Sequence, residues 1–599
     1  MHKTTDKPRF LITTADRRSW KFDEPVLFLG EWCRLPGQQT AWENLDFKVV
    51  APYGADRALR KTDSDYVYSL YEQLLSELSH ALNDYHGTNH SLRYWRISLG
   101  TWLIRFIAVV FNRWATIQFA LVHHEISNTT VLDFPSEQMI PLDGLGFSSL
   151  LFSDNWNHAV YAKILSEWTD VECEKTSIDR GCKQQFNLSS SLTMKQALKR
   201  MARRGIAIFG KMFSRSTDAF FISSHLPRMQ DFLLQLSLRQ FPMLWHSPEY
   251  PRVFPDMNSR KSFQLNTDAQ TGFEKFIREI ISDQIPTCYL EGYSALLEIV
   301  EELPWPKYPK VIFTSNSYAT DEVFMAWTAS KVEAGAPYVI GQHGAGSGGM
   351  AEFVLTEPYE LDTADRVLTW GWTDGHPKRY PVAVLKLLGK KTADWSPKGG
   401  LLLIEVHRDL RTKPWDETAG FKQYLENQFQ FADKLPSQIK RNLTVRLLAT
   451  YDNRDLGWSE NVLWKERIPD IQLELGNASI GDLISKSRLV VHSYLSTGIL
   501  ETLSLKIPTM CFWDLNHWPL RSSAQPYFDQ LKQVGIFHDS TESIAEKVVD
   551  VWDDVEGWWN QPEVQEARQM FCDQFACMPQ KPIEILKQAL MSAKPTRIC

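Results

Sequence analysis

The stretch from Arg488 to Trp513, RLVVHSYLSTGILETLSLKIPTMCFW, sets the tightest limit on what this chain can become. It opens with an apolar run, Leu489-Val490-Val491, of the kind found in a strand buried on both faces. A polar turn follows, from His492 and Ser493 to Ser496, Thr497 and Gly498. A helix then begins near Gly498 with Leu500 and Leu503 on one side, and Pro508 ends it. Thr509 to Trp513 reads as the next strand. Two parallel strands joined by a helix require a sheet covered by helices, so the chain belongs to the α/β class. The helix start also offers free N–H groups and the positive end of a dipole, which favour an anion. The plain alternative is an ordinary cap by Ser or Thr. A capping box does not fit, because Ile499 and Leu500 stand three residues after Ser496 and Thr497. Glu501 pairs only with a cap at Gly498, which frees its carboxylate to meet a ribose hydroxyl.

At 599 residues the chain exceeds one ordinary core and calls for at least two domains. An apolar share of 43% with 23% charged residues is that of a globular protein. The net charge of −7 argues against bulk nucleic-acid binding. The eight cysteines form no CxxC pair or Cys/His cluster, which suits reduced thiols in the cytoplasm rather than a disulfide framework or structural zinc. The N-terminus, MHKTTDKPRF, lacks a signal-peptide core. Leu99 to Val122 is the most apolar long segment, but Arg105, Asn112 and Arg113 interrupt it, so a buried helix is expected in place of a membrane span.

Strands are expected at Arg9 to Thr14 and Pro25 to Gly30, and helices from Asp63 to about Val122, where Leu70, Leu74, Leu78 and Leu82 recur at helical spacing. Asp170 to Met194 is polar and reads as a loop or insertion. The basic run Lys195 to Arg204 is a solvated face or a meeting point for an anionic acceptor or membrane surface. A short strand is expected at Ala219 to Ser223. From Lys310 the rhythm is plain, with strands at Val311 to Thr314, Tyr338 to Ile340 and Asp365 to Leu368. The stretch 387–400, LLGKKTADWSPKGG, reads as a linker. A second alternation follows, with strands at Leu401 to Val406, Leu443 to Thr450 and Ile471 to Leu475, and Pro579 and Pro582 interrupt the helical tail.

Ligands of open α/β sheets gather at strand carboxyl ends. That rule selects Asp16, Arg17, Trp20 and Glu31 in the N-terminal part, Asn316 after Thr314, and Gln342, His343 and Gly344 in the glycine-rich loop GQHGAGSGG. In the second part it selects His407 and Arg408, then His492 and the turn after it. For each single residue the bland reading is loop polarity, a surface ion pair or a cap.

The segments PVLFLGEWCRL, RYWRISLGTWL, SDNWNH, IPTCYLEGY, YVIGQHGAGSGG, LTWGW and HSYLSTGILETL resemble a family of transferases from bacterial O-antigen and surface-polysaccharide clusters. The resemblance runs from about residue 9 to about 540. It implies a GT-B glycosyltransferase: two Rossmann-like domains facing a cleft, with a large helical elaboration of the N-terminal domain. Expected boundaries are 1–392 for an acceptor domain, 398–545 for a donor domain, and 546–599 for helices bracing the first. The family looks like enzymes handling nonulosonic acids such as pseudaminic acid, which implies a CMP-activated donor and an oligosaccharide or lipid-linked glycan acceptor, with peripheral membrane contact left open. On that reading Ser496, Thr497 and Gly498 hold the donor phosphate and Glu501 the ribose. His407, Arg408 and Arg446 meet phosphate or a donor carboxylate, with His492 and Ser493 beside them. His343 is the catalytic residue, with Glu31 and Asp16 as further bases. No convincing DxD is present, so no metal and no cofactor are expected. The alternatives are a CDP-polyol phosphotransferase, a sugar-nucleotide 2-epimerase on a GT-B-like scaffold, and a non-catalytic polysaccharide-binding protein.

Overall fold

The computed structural model describes residues 7–178, 213–268, 270, 272–346, 348–390, 392–406, 420–447 and 459–595. The expected basic run at Lys195 to Arg204 lies outside them, as do His407 and Arg408. Three parallel sheets carry the chain. The first holds β1 (Arg9–Ile12), β2 (Val26–Phe28), β3 (Phe47–Val49), β4 (Ile126–Asp133) and β5 (Glu172–Ser177), in the order β3-β2-β1-β4-β5. The second holds β6 (Phe220–Phe221), β7 (Ile312–Thr314), β8 (Tyr338–Gly341), β9 (Arg366–Thr369) and β10 (Arg379–Pro381), laid side by side in chain order. The third holds β11 (Gly400–Ile404), β12 (Leu443–Arg446), β13 (Gln472–Glu474), β14 (Ser487–His492), β15 (Thr509–Phe512) and β16 (Phe537–His538), in the order β13-β12-β11-β14-β15-β16.

Two expectations are corrected. Residues 1–392 contain two separate sheets where one was expected, and part of the expected loop after Asp170 is the edge strand β5, paired along β4 from Asn128 to Asp133. Periodicity identifies strands but says nothing of which strand neighbours which. Polar β5 escapes notice because its residues are mostly exposed.

The second sheet owes its position to the two-residue period of a strand. Phe220, Ile312, Ile340 and Val367 face a core shared with Phe10, Leu27 and the other residues of the first sheet. Phe221, Phe313, Val339 and Leu368 face the opposite core, shared with Leu402 and Val490 of the third. The helix Leu92–His123 lies in the first of these cores. Ser91 caps it by accepting the Tyr94 N–H at 3.2 Å. It is the one helix among the described residues long and apolar enough to cross a membrane, yet 89% of its apolar window is buried inside the protein. Its Arg113 is buried and satisfied, donating to Asn157 and Asn112 at 3.0 Å each. A helix apolar all round is the expected filling between two layers.

The chain ends by crossing back. Cys577 N–H donates to Trp370 O at 2.7 Å, Val384 N–H donates to Cys577 O at 3.0 Å, and Lys587 reaches Ser237 O at 2.7 Å. The second and third sheets, with their strand ends opposed and the last helices returning to the second, form a GT-B arrangement to which the first sheet is added. A further tie joins the two units where Arg521 donates to Glu357 at 2.5 Å, beside an Arg379–Glu357 ion pair.

Candidate active site

In the third sheet the strand order reverses at β11, which lies between β12 and β14. Such a switch point opens a crevice beyond the strand ends where ligands of α/β proteins bind. A cavity of about 260 Å³ occupies that place, lined by Glu405, Arg446, His492, Ser496, Gly498 and Glu501 among others. Five of the residues selected from sequence therefore share one cavity. Ile404, Val406, Leu447, Ile480 and Ile484 supply its apolar wall.

The hydroxyls of the turn are mostly committed to the protein. Ser496 caps the helix Thr497–Ser504 by accepting the Ile499 N–H at 3.3 Å, and its Oγ lies 3.1 Å from His492 Nδ1. Ser493 is buried, donating to Ile404 O at 3.1 Å and meeting the Tyr424 hydroxyl at 2.6 Å. Thr497 Oγ1 accepts the N–H of Ala345 at 3.1 Å, across the cleft. The three hydroxyls assigned to the donor thus serve as cap, strand brace and latch. What remains for an anion are the first-turn backbone N–H groups of Thr497 and Gly498, which have no intrahelical acceptor. Gly498 is required for a steric reason, because a Cβ there would stand 2.5 Å from His492 Cε1. His492 is wholly buried between Ser496 and Thr502, and burial pushes its pKa down to about 3. It is a neutral filler of the turn as much as a wall of the cavity.

Glu501 keeps the freedom expected of it, since its carboxylate makes no hydrogen bond among the described residues. Burial raises its pKa, against the opposing pull of Lys386 and Lys390. Arg446 donates to Ala478 O at 3.0 Å and still lines the cavity. Glu405 escaped the sequence reading. It is 5% exposed, accepts from Trp464 Nε1 at 3.3 Å through Oε2, and has no partner for Oε1. Burial pushes its carboxyl up to about 8.

Across the cleft, the loop after β8 presents His343. Its Nδ1 lies 3.3 Å from Ser315 O. A carbonyl only accepts, so Nδ1 carries the proton and Nε2 is the basic nitrogen. The residue is exposed by surface area. Its ring still sits low enough for desolvation to be the main influence lowering its pKa, with Lys386 adding to it and the Ser315 bond opposing. Gln342, expected as a cleft residue, is a buried brace: Nε2 donates to Gly344 O at 3.0 Å, and Oε1 accepts from Trp370 N–H at 2.9 Å and Trp372 Nε1 at 3.0 Å. Gly344 stands against the third unit, where a Cβ would lie 2.7 Å from Thr497 Oγ1. Asn316 is exposed at the end of β7, its N–H held by Thr314 Oγ1 at 3.2 Å.

Two further residues join this group without having been singled out. The His225 ring lies 4.8 Å from that of His343. Lys386 is an electrostatic neighbour of His225, His343 and Glu501, and so faces both units. The strand-end rule applied to the short run Ala219 to Ser223 would have flagged His225; no local signal marks Lys386.

Asp16 and Glu31 sit apart, beyond the first sheet. Asp16 caps a short 3-10 turn and pairs with Arg18 at 2.5 Å. Burial acts to raise its pKa, but hydrogen bonds and charge from Arg18 outweigh this and hold it low. Glu31 is ion-paired with Arg34. Both carboxylates are engaged locally, an arrangement that does not suit a free base. Among the described residues no group of three or more His, Cys, Asp or Glu is placed to hold a metal ion.

Two parallel-stranded α/β units thus meet here, with a switch-point cavity in one and an imidazole at a strand end of the other. The chain belongs to the LIC12162 family of transferases, which it matches over residues 9–590. No curated protein matches its sequence. Distant likenesses among solved structures include S. aureus MnaA with UDP, at 11% identity over 64% of this chain and 100% of that one, with a TM-score of 0.37. A putative UDP-N-acetylglucosamine 2-epimerase from Listeria monocytogenes is similar at 11% identity over 63% and 96%, TM-score 0.36. Acinetobacter baumannii MurG is similar at 10% over 62% and 99%, TM-score 0.32.

Proposed function

We propose that this transferase moves a sugar from a nucleotide-activated donor to a glycan acceptor, and that the donor is a CMP-linked nonulosonic acid. One observation carries the reading: a basic imidazole, His343, stands opposite a helix N-terminus that borders a switch-point cavity. The acceptor hydroxyl gives its proton to His343 Nε2 and attacks the anomeric carbon. The nucleotide phosphate leaves toward the N–H groups of Thr497 and Gly498, with Lys386 beside it. Glu501 meets the ribose. A nonulosonate donor carries a carboxylate as well as its single phosphate, and the cations Lys386 and Arg446 suit two anions on one small molecule. The acceptor is an oligosaccharide or lipid-linked glycan of the cell surface.

The test is a thermal-shift comparison of CMP, CDP, UDP and GDP on the purified protein, followed by a transfer assay. CMP is expected to stabilise the protein most. Stabilisation by UDP or GDP without CMP refutes the CMP donor, and a preference for CDP redirects the reading to a polyol-phosphate donor. Transfer is expected to proceed unchanged in EDTA, since cationic side chains serve the single phosphate; loss of turnover on chelation would refute metal independence.

A further inference from the structure

The loop between β6 and the helix Arg228–Ser237 is strained and firmly held. Ser223 has φ of +46° and His225 φ of +62°, both in the left-handed region that side chains other than glycine avoid. The loop after β7 pins them there. Ser315 N–H donates to Ser223 O at 3.0 Å and Ser315 Oγ to Ser224 O at 3.1 Å. Ser317 Oγ lies 3.1 Å from Ser223 Oγ, and Ser224 Oγ donates to Asp231 at 2.7 Å. Backbone strain survives where the surroundings over-determine it, and it gathers at functional sites. What the strain achieves is the position of one ring, 4.8 Å from His343. His225 Nδ1 is buried without a partner. That leaves Nε2 as the ring nitrogen open to a ligand, and with Nδ1 unprotonated it carries the N–H.

We propose that His225 is a second catalytic imidazole, whose ring N–H donates a hydrogen bond to the donor oxygen that leaves with the nucleotide. This rests on the donor reading given above. The bond between the acceptor oxygen and the anomeric carbon forms as the bond from that carbon to the phosphate oxygen breaks. The acceptor proton goes to His343 Nε2. The electron pair of the broken bond stays on the phosphate oxygen, which His225 N–H and Lys386 meet. Two rings 4.8 Å apart can address two oxygens on one carbon. Burial, and then the charges of His343 and Lys386, push the His225 pKa down to about 4, so near neutral pH it is a neutral donor and not an acid.

Glycine and asparagine separate the ring's role from that of the backbone. Both tolerate a left-handed φ, but only asparagine keeps an N–H donor. His225→Gly is expected to lower kcat by about 100-fold. It is expected to weaken CMP binding about tenfold, and to leave the melting temperature unchanged or about 1 °C higher. His225→Asn is expected to recover roughly a tenfold share of the lost kcat. The proposal is overturned if His225→Gly stays within about threefold of the parent kcat, or if asparagine does no better than glycine. It is also overturned if the glycine variant melts about 5 °C lower, since the residue is then structural. If no nucleotide stabilises the unaltered protein, the donor reading and this proposal fall together. If a nucleotide does stabilise it and His225→Gly turns over normally, only the role of His225 fails.

Discussion

Gly344 and Thr497 meet across the cleft in a contact with little room for adjustment. Thr497 Oγ1 accepts the N–H of Ala345 at 3.1 Å, and a methyl group at Gly344 would stand 2.7 Å from the same oxygen. The only other Thr497 atom near that methyl is Cβ, at 4.0 Å. Thr497→Ala removes the acceptor of an N–H on a residue that is 2% exposed. Stranding a buried donor costs about 1–3 kcal/mol. Gly344→Ala, with the hydroxyl still present, forces the two units apart by several tenths of an ångström, and overpacking of this kind costs about 1–3 kcal/mol. In the double variant the methyl enters the space the hydroxyl has left. The pair should then be no less stable than Thr497→Ala alone, a coupling of about 1–2 kcal/mol in a double-mutant cycle. A loss of about 1.5 kcal/mol lowers the melting temperature by roughly 1–4 °C, depending on whether the whole chain or one unit melts cooperatively. Scanning fluorimetry of the four proteins measures this, with Thr497→Ser as a control that keeps the hydroxyl. Additive losses would refute the claim that these two residues form one latch, and so would a Thr497→Ser variant that loses as much as Thr497→Ala.

Two further predictions concern protons. The base must be neutral to accept one, and His343 titrates below the ordinary 6.5 through burial and then the charge of Lys386. The acid limb of kcat/KM should therefore have its midpoint below 6.5, and Lys386→Gln should move that midpoint upward; no movement, or movement downward, refutes the assignment. His343→Ala should abolish most turnover, and an active variant would show that another group is the base. Glu405 titrates at about 8 in the folded chain against an ordinary 4.5, so the folded state holds a proton that the unfolded state has lost between those values. The Glu405 contribution to stability must fall as pH rises from about 4.5 to 8. Glu405→Gln, which keeps an acceptor for Trp464, should match the parent in melting temperature near pH 4.5 and exceed it at pH 8.5. An equal difference at both pH values would show that the buried carboxyl is not the cause.

Much of the site lay open in the sequence because its signals are local. A strand ends, a polar turn follows and a helix begins, and each step is written within a few residues of Arg488 to Trp513 and of Tyr338 to Gly344. The α/β class follows from the same alternation, and the buried helix Leu92–His123 from the charges that interrupt its apolar run. The partner of a side chain is a different kind of fact. By position Thr497 reads as a phosphate-seat hydroxyl, and its contact with Ala345, 152 residues away, makes it a latch. Gln342 lies in a glycine loop yet braces Trp370 and Trp372. Asp16 and Glu31 stand at strand ends and are taken by neighbouring arginines.

Most of the apolar strands, the turns that border the site and the loops of small, polar and basic residues are legible in the chain alone, because dihedral preference and apolar period act over a few residues. That residues 1–392 make two sheets, that β11 marks a switch point and that His225 stands beside His343 is visible in the folded chain alone. Those outcomes depend on which strands pair and which cores close, and the contacts that settle them join residues tens to hundreds of positions apart.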